Sequence, residues 1–168
     1  MKLWLAEKLF QALFKNIVIA RKPDFIVGDI ADPYLLRYWL IPRNRFFNVY
    51  LHCFMRSDDD RALHDHPWVS LSFLLKGDFL EQTIDQGGIH NFTYFGQGTL
   101  KYRGAKYAHR IELITSHKTG KPNPAWTIFI TGPRLREWGF HCAQAGWIPW
   151  QRFTQPGDAG KTGAGCEG

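Results

Sequence analysis

Two histidines spaced two apart, His64 and His66, stand at the mouth of an apolar run in the stretch D-D-D-R-A-L-H-D-H-P-W-V-S-L-S-F-L-L-K-G, from Asp58 to Gly77. In an extended strand, residues two apart share a face. One backbone segment therefore aims both imidazoles at one point. Trp68, Ser70 and Ser72 continue that face, while Val69, Leu71, Phe73 and Leu75 take the other. A strand with one packed side and one mixed, histidine-bearing side suits the wall of a barrel around a cavity. The pair by itself admits two readings: imidazoles as metal ligands, or structural histidines in a His-Pro-Trp loop that enters a strand.

The rest of the chain narrows the fold class. Its 168 residues suffice for one domain with a sizeable core. A content of 45% hydrophobic and 15% aromatic residues points to a folded, strand-rich domain rather than disorder. The formal net charge of +6 comes from Lys and Arg scattered without a block, which argues against a nucleic-acid partner. Cys53, Cys142 and Cys166 make an odd, low count without regular spacing, which argues against a disulfide scaffold. Glu7 and Lys8 interrupt any apolar leader, and no apolar window of about 18 residues occurs. The expected location is the cytoplasm, with no membrane partner.

Residues 2 to 16 carry Leu3, Ala6, Leu9, Phe10, Leu13 and Phe14 at three- and four-residue steps. This predicts an amphipathic helix that packs across a face of the barrel, with a membrane-surface helix or a dimer contact as alternative uses. Strands are expected from Tyr34 to Ile41, Phe46 to Met55, Phe79 to Asp85, Ile89 to Phe95, Thr99 to Arg103 and Tyr107 to Ile114. Others run from Trp126 to Thr131, Trp138 to Ala143 and Trp147 to Phe153. Lys76-Gly77-Asp78 reads as a hairpin turn. About ten short strands at regular spacing, with no alternating helices, make an all-β barrel or sandwich. The organisation is a helix and linker over 1–24, a barrel over 25–154 and a flexible tail over 155–168 without core residues. Gly160-Lys161-Thr162 is no phosphate loop, because Gln155 occupies the position of the required leading glycine.

A functional metal centre needs a third ligand. The best candidate is His109, at the start of a strand after the Gly104 turn. His52 is a weaker one and reads as an ordinary hydrogen-bonded strand histidine. A rival zinc site from His52-Cys53 and His141-Cys142 fails because neighbours in a strand point to opposite faces.

The arrangement resembles the cupin superfamily, the double-stranded β-helix or jelly-roll barrel. The family's first motif runs G-x5-H-x-H-x3,4-E-x6-G. His64, His66 and Gly77 fall on it, with Asp58 in place of its leading glycine and Ser70 in place of its glutamate. The second motif runs G-x5-P-x-G-x2-H-x3-N. Gly98 and His109 fit it, while Gly104, Lys106 and Leu113 replace its proline, second glycine and asparagine. The likeness covers roughly Tyr50 to Thr131.

The resemblance implies a cupin-type jelly-roll barrel with an N-terminal helix, and His64, His66 and His109 as a facial metal triad inside it. Without the glutamate the site is a three-histidine one, as in some dioxygenases of the superfamily. The implied cofactor is a divalent transition metal, iron(II) first, with zinc, nickel or manganese as alternatives. Neutral imidazoles leave the ion's charge uncompensated, which favours a small polar or anionic substrate. Trp68, Ser70, Glu81, Tyr107 and Arg136 are candidates for holding that substrate. Arg136, with Arg134, would grip a carboxylate. Asp60 is a candidate for orienting a ligand histidine from behind. Two other readings remain open: a non-catalytic cupin that binds ligands or assembles, and a metal-free sugar epimerase or isomerase with a histidine as general base. A homodimer is implied by the resemblance alone.

Overall fold

The computed structural model describes residues 2–58, 62–86, 88–156 and 158–167. Helix α1 (Lys2–Leu13) runs into a π-helical turn, Phe14–Val18. Strands follow as β1 (Phe25–Gly28), β2 (Pro33–Trp39), β3 (Asn48–Phe54), β4 (Leu63–His64), β5 (Ser70–Lys76), β6 (Phe79–Ile84) and β7 (His90–Phe95). Then come β8 (Leu100–Arg103), β9 (Arg110–Leu113), β10 (Ala125–Thr131), β11 (Gly139–Cys142) and β12 (Gly146–Pro149). A single turn α2 (Trp150–Phe153) leads to β13 (Thr154–Gln155) and β14 (Asp158–Thr162).

The pairing is antiparallel throughout. One wall has the order β1-β2-β3-β10-β5-β8, and a second has β7-β6-β9. A bridge between His64 and His109 continues the second wall onto β4, which also pairs with β11 and through it β12. The central orders 3-10-5-8 and 4-9-6-7 are those of a jelly roll, in which each wall is filled by strands distant in sequence. The fold is therefore an all-β jelly-roll barrel with one N-terminal helix.

The large wall has two unlike faces. Leu36 and Tyr38 of β2, Leu51 of β3, Phe73 and Leu75 of β5, and Trp126 and Ile128 of β10 point outward. They pack with Leu9, Phe10, Leu13 and Phe14, the stripe of α1. Phe10 and Phe14 meet the Trp126 ring edge-on, at 5.7 and 5.9 Å between centroids. The alternate residues point inward, as the period of two demands. At one end the interior is filled by Leu74, Phe79, Ile111, Leu113 and Ala125. The rest of the interior is a cavity of about 610 Å³.

The β5–β6 hairpin depends on Gly77. Its φ is +83°, and a Cβ there would lie 2.6 Å from the Pro124 carbonyl oxygen. Only glycine satisfies both constraints.

Four features depart from the sequence reading. The strand through His64 and His66 is broken, because β4 ends at His64 and β5 begins at Ser70. Pro67 cannot donate to a ladder, and the amides of Asp65 and His66 bond to Gly139 and Ala105 instead. The expected final strand becomes β12 followed by α2, with Pro149 at the helix start. Phe25–Gly28 forms a strand too short to show periodicity. Finally, the segment expected as a flexible tail pairs β14 with β13, buries Gly165 and joins Cys166 to Cys142 in a disulfide. The cysteine spacing gives no sign of that bridge, because β11 brings Cys142 to the chain's end only through the fold. Cys53 remains a buried thiol.

Candidate metal centre

His64 and His109 are cross-strand partners. His64 N–H donates to the His109 carbonyl at 3.0 Å, and His109 N–H donates back at 2.9 Å. Opposed residues of an antiparallel pair project to the same face. His66 is two residues beyond His64 and shares its side. The ring centroids lie 4.9 Å (His64–His109), 5.1 Å (His64–His66) and 5.3 Å (His66–His109) apart. One nitrogen from each ring falls within 4.8 Å of the others.

The spacing fits a transition metal. Nε2 of His66 and Nε2 of His109 are 3.0 Å apart. Two imidazole nitrogens at about 2.1 Å from one ion and at right angles to each other are separated by about 3.0 Å. Borderline imidazole donors suit iron, zinc, nickel and copper. No carboxylate joins the cluster among the described residues. Ser70, at the place of the motif's glutamate, is buried on β5 opposite Arg103 and Thr131 and is not on the cavity wall.

Behind His109 stands Glu81, from the middle of β6 and only 1% exposed. Its Oε1 lies 3.0 Å from His109 Nδ1. The Arg103 guanidinium donates to the same oxygen through Nε at 2.7 Å, and to Ser72 Oγ through Nη1 at 2.9 Å. The Tyr107 hydroxyl donates to Glu81 Oε2 at 2.9 Å, and Lys101 Nζ lies 3.4 Å from that oxygen. Burial by itself would raise the Glu81 carboxyl, but the His109 hydrogen bond and the Arg103 charge outweigh it and hold the group at about 2. Burial likewise pulls His109 down to about 4 and His66 well below the usual imidazole value. At neutral pH a carboxylate thus stands 3.0 Å from Nδ1 of a neutral imidazole. A proton on His109 Nδ1, facing that carboxylate, would leave the Nε2 lone pair for the cluster.

Asp58 stands near His64 without a hydrogen bond to it. Its Oδ2 accepts from the Ile111 amide at 2.7 Å and lies 3.8 Å from His64 Nδ1. Its other oxygen accepts from the Tyr34 hydroxyl. The acidic run at 58–60 was the available signal for this residue. Asp60, expected to orient a ligand histidine, lies outside the described residues.

Asp65, between the two histidines, points the other way and is 1% exposed. It accepts from the Gly139 amide at 2.9 Å, Arg136 at 2.6 Å and Trp147 Nε1 at 3.1 Å, and lies 3.0 Å from His141 Nε2. Burial would raise its carboxyl, but the bonds from His141, Arg136 and Gly139 keep it below the ordinary value. Asp65 thus pins the corner that carries His64 and His66 to β11.

The other expected substrate contacts divide. Trp68 lines the cavity and stacks on His66, the two planes 10° apart. Glu81 and Tyr107 stand behind His109 and off the wall. Arg136 is paired to Asp65 and Arg134 to Glu137, so neither reaches the cavity. The cavity's arginines are Arg37, Arg56 and Arg103. Arg37 was legible as the lone charge on the inward parity of β2. His52 also faces inward and accepts from Arg37 Nε at 2.9 Å. The rival zinc site does not form: Cys142 is bridged to Cys166, and His141 turns to Asp65.

No protein-family profile and no curated protein matches the chain. Among solved structures it is similar to a cupin superfamily protein of Desulfitobacterium hafniense, at 16% identity and TM-score 0.43, over 59% of this chain and 77% of that one. It is also similar to an uncharacterized protein with a double-stranded β-helix domain from Klebsiella pneumoniae, at 12% identity and TM-score 0.46, over 70% of this chain and 90% of that one. Oxalate decarboxylase of Bacillus subtilis gives 14% identity and TM-score 0.43 over 60% of this chain, which spans 25% of that protein's length. The strand order of the chain is that of a jelly roll, and the solved structures it is similar to include a cupin superfamily protein and a double-stranded β-helix protein.

Proposed function

We propose that this chain is a metal-dependent enzyme of dioxygenase type acting on a small polar or anionic molecule. His64, His66 and His109 hold a divalent transition metal, with iron(II) the first choice and zinc, nickel or manganese the alternatives. The observation that carries this reading is the convergence of three imidazole nitrogens within 4.8 Å on the wall of a cavity of about 610 Å³. When bound, such an ion supplies Lewis acidity and, if iron, redox chemistry, with positions left open for substrate and oxygen. Glu81 fixes the tautomer of His109 and, with Tyr107, acts through it. Asp65 and Arg136 hold the corner bearing His64 and His66. Trp68 screens one side of the site from water.

Metal analysis by plasma mass spectrometry tests the proposal. The wild type should carry close to one equivalent of iron or another transition metal, and His64→Ala and His109→Ala should carry almost none. Oxygen uptake with small thiols, diketones and phenols then tests the reaction class. Full metal retention in His109→Ala, or no metal after reconstitution, overturns the triad.

One observation favours a second reading. The 3.0 Å contact between His66 and His109 is also satisfied as a hydrogen bond between neutral rings. That geometry suits a metal-free epimerase or isomerase with a histidine as general base, whose activity would survive chelation. A ligand-binding protein without catalysis would show neither metal nor turnover.

Among the described residues no helix is long and apolar enough to cross a membrane. A cytoplasmic location is part of this reading, and the Cys142–Cys166 disulfide is the observation that counts against it.

A further inference from the structure

Three arginines line the cavity, and two of them are committed to protein partners. Arg103 is tied to Glu81 and Ser72. Arg56 lies 3.6 Å from Asp32. The cavity's one described carboxylate, Asp58, is used by Ile111 and Tyr34. Arg37 differs. Its Nε donates to His52 Nε2 at 2.9 Å, and its other described contacts are the faces of Tyr50 and Phe25, at 5.0 and 6.0 Å. Among the described residues no carboxylate forms an ion pair with it. Its terminal nitrogens have no protein acceptor among the described residues, and they are not sealed from solvent.

A guanidinium drawn partly out of water without a counter-ion is costly, and a bound anion would offset that cost. Here the surroundings keep it in place rather than neutralise it. Burial pulls Arg37 below its ordinary value and keeps His52 neutral, so His52 serves as an acceptor for Arg37 Nε. That bond fixes one edge of the planar fork. The opposite edge, with two parallel N–H donors, matches a carboxylate.

The route from this corner to the three histidines is short. The Phe129 ring lies 4.9 Å from His52 and 6.2 Å from His66. Between and around the two polar corners the wall is apolar, with Phe25, Ile26, Val27, Phe54, Ile111 and Phe140. About 610 Å³ lies within the range that encloses a ligand of many heavy atoms and far exceeds the needs of a two-carbon acid.

We infer that Arg37, held by His52, is the docking point for the carboxylate of an amphipathic acid whose apolar body fills the cavity and presents its reactive carbon to the three-histidine cluster. The substrate class is a monocarboxylic acid with an aryl or medium-length alkyl body. The catalytic part rests on the proposed metal-dependent reading, whereas the binding part does not.

Isothermal titration with 3-phenylpropionate and octanoate, and with the neutral 3-phenylpropanol and octanol, separates the two parts. Each probe is titrated into metal-loaded and chelator-stripped wild type, and into Arg37→Gln, Arg37→Lys and His64→Ala. The acids should bind wild type with or without metal, and at least about tenfold more weakly to Arg37→Gln. Arg37→Lys should recover only part of that loss, because it restores charge without the fork. The alcohols should not distinguish wild type from Arg37→Gln. Acid binding that vanishes on stripping or in His64→Ala yet survives Arg37→Gln puts the carboxylate on the metal and overturns the inference, leaving the metal reading intact. Failure of both acids to bind wild type at millimolar concentration also overturns it. Arg37-dependent binding in a protein that never takes up metal keeps the subsite and sinks the proposed enzyme. Unchanged thermal unfolding of Arg37→Lys guards against a trivial loss of fold.

Discussion

The two faces of the large wall are made by the same strands and differ in nearly everything else. Outward, Leu51, Leu75, Trp126 and Ile128 meet the stripe of α1 in a continuous apolar layer. Inward, one residue along, stand Arg37, His52, Ser72 and Thr127 around open space. Buried hydroxyls at Ser70, Thr127 and Thr131 find no partner there among the described residues. The outer face supplies stability at roughly 25 cal/mol for each Å² of apolar surface removed from water. The inner face gives some of that up, through unfilled volume and polar groups that a packed core would exclude. Alternation along a strand lets one set of residues hold the barrel and the next set work inside it.

That division is open to attack from both sides. The largest effect belongs to the inner face. His109→Ala should abolish metal uptake while leaving the urea midpoint of the stripped protein nearly unchanged. The outer counterpart, Leu75→Ala, should cost roughly 2–5 kcal/mol in urea unfolding and leave metal stoichiometry at the wild-type level. A loss of metal in Leu75→Ala at temperatures where it stays folded would mean that the two faces are coupled through the backbone.

A smaller effect is expected one layer out. Glu81→Gln keeps the shape but takes the charge from His109 and Arg103. Metal affinity should fall about 10–100-fold, read by competition with a chromogenic chelator. An unchanged affinity would reduce Glu81 to a partner of Arg103 alone.

The smallest effect lies on the outer parity of β3, where burial pushes the Cys53 thiol up to about 12 from a reference of 9.0. The unfolded chain releases that proton first, so stability is full below about pH 8.5 and declines as pH rises toward the folded value. The decline should stay under about 1 kcal/mol by pH 9.5 and be absent in Cys53→Ala. Native protein should also resist alkylation at Cys53 until it unfolds.

The sequence carried the parity argument well. Parity puts His64, His66, Trp68, Ser70 and Ser72 on one face; the strand breaks between His64 and Ser70, and of the five only Ser70 lies off the cavity wall. The stripe of α1 was equally plain, because helical period and apolar content agree. His109 was a candidate from its place at the start of a strand after the Gly104 turn, and the likeness of its segment to a known motif added the spacing that no local pattern supplies across 45 positions. Arg136 was credited with a role that Arg37 is placed to play. Arg37 sits opposite His52 on the inward parity of β2, whereas Arg136 is held by Asp65 away from the cavity. The bridge from Cys142 to Cys166 was illegible, because it depends on where β11 and the chain's end meet in space.

The backbone bond pair between His64 and His109 has a consequence for how the protein comes into being. Those two residues meet only when the second wall zips up around β4 and β9, which requires closure of a long loop. Before that moment the chain offers a metal only the His64–His66 doublet on one segment, a weak chelate. Uptake of an ion by the full triad would therefore require that pairing and report a closed junction between β4 and β9. During synthesis, the chain would pass through the cell's metal pool largely unclaimed until its walls have closed.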